Sequence, residues 1–201
     1  MSRPCCSRCH YPTFTCVCGA LTQVNNAIQV VVLQHPSEVK VAKGTARLLS
    51  LALNNMQLFV GEQAQDFEQA RRYLADFEGQ IMLLYPSDDS VAIAQSSRDG
   101  GQRTLLLVID ATWKKAYKIW QSNPWLAQYP QLRLSGIDGQ YRIRKAASAN
   151  ALSTLEATAY ALNELDGSDP KPLLHLFDYF IDRQMAAMPH QVKQRYPSKG
   201  E

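Results

Sequence analysis

The stretch Leu105 to Trp120, "LLLVIDATWKKAYKIW", decides the fold. An unbroken apolar run, Leu105 to Ile109, enters an Asp-Ala-Thr turn, after which the period of the apolar residues changes to that of a helix. A strand that is apolar at every position has both faces covered, which is the mark of a parallel sheet flanked by helices. On a helix starting near Thr112, the residues Trp113, Ala116, Tyr117 and Trp120 fall at i, i+3, i+4 and i+7, a single face expected to pack into the core. Lys114, Lys115 and Lys118 fall off that stripe, facing solvent or a phosphate backbone. Asp110 and Thr112 stand where helix caps stand, so capping competes with any chemical role for either residue.

Outward from this stretch the same alternation repeats. Strands are expected at Ala27 to Leu33 ("AIQVVVL"), Gln57 to Val60, Gln80 to Tyr85 and, briefly, Val91 to Ile93. Helices are expected at Gly44 to Asn55, Asp66 to Phe77, Thr112 to Gln121, Ser153 to Glu164 and Lys171 to Met188. Pro36 and Pro86 stop two of the strands. Ser153-Thr154-Leu155-Glu156 is a capping box, S-x-x-E, which favours a structural role for Ser153 and Glu156. The pattern is α/β with a mostly parallel sheet and flanking helices, and ligands in such sheets bind beyond the carboxyl ends of the strands. Gln34-His35-Pro36, Leu84-Tyr85-Pro86 and Asp110-Ala111-Thr112 are therefore the candidate site segments.

All five cysteines lie between Cys5 and Cys18. Cys6 and Cys9 form a C-x2-C pair and Cys16 and Cys18 a C-x-C pair, so four thiolates can converge on a structural zinc ion that supplies the segment's folding free energy. Cys5 and His10 are substitute ligands, and free thiols or a redox pair are the competing readings. The expected organisation is a cysteine knuckle over 1–26, a main domain over 27–188 and a basic polar tail over 189–201. No window approaches twenty uninterrupted apolar residues and no apolar run follows Arg3, so neither a membrane span nor a secretory signal is expected, and a cytoplasmic location is.

The net charge of +3 is small but uneven. Glu62 to Asp99 holds eight acids against three bases, whereas Lys114 to Lys145 holds seven bases against Asp138, a concentrated positive field that suits a polyanion or simply forms a solvated face. No G-x-G-x-x-G follows a strand and no G-x-x-x-x-G-K-[ST] occurs, which removes the usual support for dinucleotide and nucleoside-triphosphate binding. G-x-S-x-G and H-E-x-x-H are also missing, and His10, His35, His175 and His190 have no ligand spacing.

In order along the chain, Cys6-x2-Cys9 with Cys16-x-Cys18, His35-Pro36, Thr45 opening a Leu-rich helix, Leu84-Tyr85-Pro86, Asp110-Ala111-Thr112-Trp113, Tyr141 with Arg144-Lys145, and Ser153-Thr154-x-Glu156-Ala157 resemble the DTW-domain family. Ala111 stands where many members have Gly. The resemblance implies transfer of the 3-amino-3-carboxypropyl group of S-adenosylmethionine to N3 of a tRNA uridine, releasing 5'-methylthioadenosine. It also implies, by analogy with a related ribosomal-RNA enzyme family, a SPOUT-like fold with a knotted cofactor site. The roles expected are Asp110 at the uridine imide, as a base or as an orienting group, and a cofactor wall of His35, Thr45, Leu84, Tyr85, Pro86, Thr112, Trp113, Ser153 and Glu156. Lys114, Lys115, Lys118, Arg144 and Lys145 would hold the tRNA backbone. An RNA methyltransferase, which would release S-adenosylhomocysteine, and a zinc-knuckle RNA-binding protein without catalysis are the alternatives.

Overall fold

The computed structural model describes residues 4–95, 101–134, 152–189 and 191. Six parallel strands form one sheet in the order β2-β1-β5-β3-β6-β4. They are β1 (Gln29–Gln34), β2 (Met56–Val60), β3 (Gln80–Leu84), β4 (Val91–Ala92), β5 (Thr104–Asp110) and β6 (Gln131–Arg133). The helices are α1 (Ala46–Ala52), α2 (Glu68–Ala75), α3 (Trp113–Ser122), α4 (Thr154–Asp166) and α5 (Lys171–Ala186). The expected α/β architecture is thus present, with boundaries shifted by at most three residues. The strand expected at Val91 to Ile93 ends at Ala92 and tightens into a 3-10 turn over Ile93–Gln95. Strand β6 had no expectation behind it, since three residues "QLR" after Pro130 carry no periodicity.

Alternating side chains of the central strands divide the core in two. Val30, Val32, Leu106 and Val108 point to the face covered by α1, α4 and α5. Val31, Leu33, Leu105 and Leu107 point to the face covered by α2 and α3. This is why β1 and β5 are apolar throughout: each residue has a helix layer on its own side. Strand β5 lies between β1 and β3, so Asp110 at its carboxyl end stands near the middle of the sheet edge.

The cysteine segment belongs to the first of these cores. Cys9, Tyr11, Val17 and Ala20 are buried in it, and the Tyr11 ring meets Phe180 of α5 with centroids 5.6 Å apart. Arg183 of α5 donates to the Phe14 carbonyl at 2.7 Å.

One expectation about α3 is corrected. Its buried residues are Ala116 and Ile119, while Trp113 and Tyr117 are 54% and 58% exposed. Trp120 is half-buried and stacks on Tyr85 at 5.3 Å between centroids. The spacing identified a helical face but placed its centre wrongly. Only Ala116 and Ile119 fit beneath a helix lying close over the sheet, and rotating Trp113 inward would require space for an indole there. No helix among the described residues is long and apolar enough to cross a membrane.

Candidate active site and metal centre

Asp110 is buried, with 6% of its surface exposed, and both carboxylate oxygens are held. Gln34 is its register partner at the end of β1 and donates its Nε2–H to Oδ2 at 2.8 Å. Thr154, the first residue of α4, donates its hydroxyl to Oδ1 at 2.5 Å. The N-cap of α3 is Thr112, whose side chain makes no capping bond. Asp110 makes a contact across the sheet edge with a different helix, α4.

A cavity of about 500 Å³ opens at the carboxyl ends of β3, β5 and β6. This is the size expected of a small-molecule site. Leu84, Tyr85 and Pro86 form one wall, Trp113 and Ala116 of α3 a second, and Ser153, Thr154 and Ala157 of α4 a third. Arg133 at the end of β6 adds a charged group, with Nη1 donating to Ser90 Oγ at 3.4 Å. The cavity meets Asp110 through Ala111 beside it and Thr154 above it. An apolar enclosure with a few convergent polar groups suits a nucleoside carrying a charged amino-acid chain.

Five residues expected to form the cofactor wall line this cavity: Leu84, Tyr85, Pro86, Trp113 and Ser153. Thr112 sits between the lining residues Ala111 and Trp113 without lining the cavity itself. Glu156 is fully buried and engaged in the capping box: its carboxylate accepts from the Ser153 N–H at 2.8 Å, and its own N–H donates to Ser153 Oγ at 3.2 Å. His35 and Thr45 lie outside the cavity. His35 Nε2 faces Glu62 Oε2 at 2.5 Å, and its Nδ1 accepts from the Ser37 N–H. Thr45 Oγ1 accepts from the Leu155 N–H at 3.3 Å, tying the start of α1 to that of α4. These polar residues sit close to the site and fix the elements that build it.

Two of the expected RNA contacts are already engaged with acids. Lys118 pairs with Glu62 at 2.6 Å and Lys115 with Glu38 at 3.2 Å. The Glu62 carboxyl is held down at about 2, first by the Lys118 ammonium and then by His35. Lys114 is exposed on the same helix. Arg144 and Lys145 lie outside the described residues, as does most of the 189–201 tail. Sequence reasoning placed Gln34 in a candidate segment without giving it a role, and passed over Arg133 and the Thr154 hydroxyl as functional groups. For Gln34 the available signal was a polar residue closing an otherwise apolar strand. Arg133 lay on a strand too short to see.

The sulfurs of Cys6, Cys9, Cys16 and Cys18 all lie within 4.8 Å of one another. Cys6 and Cys18 are 3.7 Å apart and Cys9 and Cys16 3.6 Å apart. Zinc bound tetrahedrally at ~2.3 Å to each sulfur separates the sulfurs by about 3.8 Å, so the donors fit this ion. Neither Cys5 nor His10 is in that group. His10 instead takes a φ of 55° in the turn after Cys9. Backbone N–H groups of Cys9 and Arg8 aim at the Cys6 sulfur and lower its thiol to about 6, while burial and the neighbouring thiols push Cys18 up to about 12.

Known proteins resemble this chain over most of its length. The chain is 34% identical to tRNA-uridine aminocarboxypropyltransferase 2 of Drosophila melanogaster, over 94% of this chain and 79% of that one. It is 27% identical to the protein of the same name in Macaca fascicularis and 26% to that in Mus musculus, each over 82% of this chain and 57% of the relative. The chain thus spans little more than half the length of these two mammalian relatives. No solved structure matches. The DTW domain matches residues 3–185, a span that takes in the cysteine knuckle, the whole sheet and the strand end carrying Asp110, and the chain belongs to the DTW domain family.

Proposed function

We propose that this protein is a tRNA-uridine aminocarboxypropyltransferase that uses S-adenosylmethionine as donor. Besides membership of the family and the named relatives, one observation carries the reading: a buried carboxylate, Asp110, fixed by two donors, one of which, Thr154, lines a nucleoside-sized cavity together with Ala111 next to it in the chain. Bound there, S-adenosylmethionine supplies a sulfonium whose aminocarboxypropyl carbon is open to attack, with 5'-methylthioadenosine leaving. The chain's task is to choose that carbon over the methyl and to prepare the nucleophile.

Leu84, Tyr85, Pro86, Trp113 and Ser153 enclose the donor, and Arg133 offers a guanidinium to its carboxylate. Uridine N3 carries a proton at neutral pH, and Asp110 receives or orients it. Gln34 and Thr154 keep the carboxylate from rotating. Lys114 leads the tRNA contacts of α3, joined by Arg144 and Lys145. Lys115 and Lys118 chiefly anchor α3 through Glu38 and Glu62.

Residues 1–26 form the zinc knuckle held by Cys6, Cys9, Cys16 and Cys18, residues 27–188 the SPOUT-like transferase body, and 189–201 a basic tail. Reduced thiolates holding zinc suit the cytoplasm. Incubation with S-adenosylmethionine and unmodified tRNA, followed by mass spectrometry, tests the activity. 5'-Methylthioadenosine with an aminocarboxypropyl-uridine is expected, and S-adenosylhomocysteine would overturn the assignment.

A further inference from the structure

Trp113 and Tyr117 are the most exposed large apolar side chains among the described residues, at 54% and 58%. They stand at i and i+4 on α3, so their rings form one row along its outer surface. Ala116 and Ile119 already supply the buried contact of α3 with the sheet, which leaves that row without a packing duty. Neither ring meets another ring among the described residues, whereas Trp120 of the same helix is stacked on Tyr85.

The row begins at the 500 Å³ cavity. Trp113 lines that cavity and is more than half exposed, which places it at the mouth. Tyr117 does not line it, but its phenol stands close enough to that of Tyr85, a wall residue, to add to the rise that burial imposes on the Tyr85 phenol. Beside the aromatic row runs a basic one: Lys114 and Lys118 are also one turn apart, each following an aromatic residue in the chain. Lys114 is exposed and makes no ion pair among the described residues, and Lys118 keeps 60% of its side chain exposed while paired with Glu62. Exposed aromatic faces flanked by cations are the composition that holds single-stranded nucleic acid, bases stacking on the rings and phosphates meeting the ammonium groups.

We propose that Tyr117 is the stacking post for a base of the tRNA strand that carries the target uridine, with Lys114 on its phosphate backbone, so that the uridine lies across the exposed side of Trp113 and turns N3 into the cavity mouth. Donor and acceptor then meet in one cavity. Tyr117 is a positioning residue: it holds the strand and touches neither the donor nor the reacting atoms. The inference rests on the activity proposed above and adds to it the surface that presents the acceptor.

Tyr117→Ala, Tyr117→Leu, Tyr117→Phe and Lys114→Ala in the zinc-loaded full chain provide the test, read by binding of unmodified tRNA in fluorescence anisotropy at several salt concentrations and by the thermal shift with S-adenosylmethionine. Tyr117→Ala and Tyr117→Leu should weaken tRNA binding on the order of tenfold with the salt slope of log K unchanged, because stacking releases no counterions, and Tyr117→Phe should restore the parental affinity. Lys114→Ala should instead reduce the salt slope by about one. The melting temperature and the S-adenosylmethionine shift should stay parental in all three Tyr117 variants. Parental tRNA affinity in Tyr117→Ala, or equal affinity in the Leu and Phe variants, would overturn the stacking post even if transfer by the parent protein is intact. Loss of tRNA binding in Tyr117→Ala with rescue in Tyr117→Phe, but no aminocarboxypropyl-uridine formed by the parent, would leave the post standing and remove the activity instead.

Discussion

The hydroxyl of Thr154 donates to the Asp110 carboxylate at 2.5 Å, joining the first residue of α4 to the last residue of β5. Gln34 occupies the other oxygen from β1. A group held from two elements keeps its orientation while ligands come and go, and the outcomes for Asp110 and Thr154 depend on that constraint.

Asp110→Asn should lower kcat by about 10²-fold or more, the range for loss of a general base, with S-adenosylmethionine affinity within a few-fold of the parent. The asparagine is accommodated: its carbonyl can accept from Gln34, and the Thr154 hydroxyl can turn to accept from its amide. A parental kcat in single-turnover assays would exclude a role for the charge.

Thr154→Val leaves the carboxylate in place but unhooks one oxygen. A kcat loss of roughly tenfold with little change in melting temperature is expected, because one hydrogen bond to a charged group is worth ~1.5–3 kcal/mol where it is made. An equal loss in Glu156→Gln, which weakens the capping box from outside the cavity, would instead point to the capping of α4 as the source. The two variants should be compared by kcat and by thermal denaturation together.

Zinc removal should be costly to the whole chain. Cys9, Tyr11 and Val17 pack in the same core as α1, α4 and α5, so a disordered knuckle opens that core. Chelation or Cys9→Ala should lower the melting temperature on the order of 10 °C. Elemental analysis should find one zinc per parent chain, and Cys5→Ala should retain it.

Glu62 gives a pH dependence with a defined sign. Its carboxyl is lowered from the ordinary 4.5 to about 2 by Lys118 and His35. The associated stabilisation is complete above about 4.5 and is lost as pH falls through about 2. Denaturant titrations from pH 5 down should show Glu62→Gln losing less stability than the parent over that window. Identical slopes would mean that the pairs with Lys118 and His35 are open in solution.

The exposed position of Trp113 makes a further contrast. Trp113→Ala should cost less than ~1 kcal/mol of stability while weakening S-adenosylmethionine binding. Ile119→Ala, at a position with no exposed surface, should cost about 2–5 kcal/mol. Calorimetry with and without S-adenosylmethionine separates the two effects.

These contrasts also mark what the sequence could convey. β1 and β5 were legible because burial on both faces demands an apolar residue at every position, and the C-x2-C and C-x-C pairs because metal binding fixes donor type and spacing. The face of α3 was legible as a period but not as an orientation: Trp113 and Tyr117 are apolar enough to fit a core stripe, and only the closeness of helix to sheet turns them outward. Gln34 and Thr154 meet Asp110 through strand register and the packing of α4, which bring together residues 76 and 44 positions from it. Local sequence holds no trace of such distances.

The sheet order carries one more consequence, for how the molecule is built. β5 is the fifth strand in the chain but sits between the first and the third. While the protein is being synthesised, β1–β2 and β3 therefore have no shared edge until residues 104–110 have emerged, and the fold must wait for a wedge to arrive between two waiting halves. Pairings of that kind close long loops and are slow. The strand whose tip bears Asp110 is thus also the one whose insertion joins the sheet, so that carboxylate reaches its place only when the two halves become one.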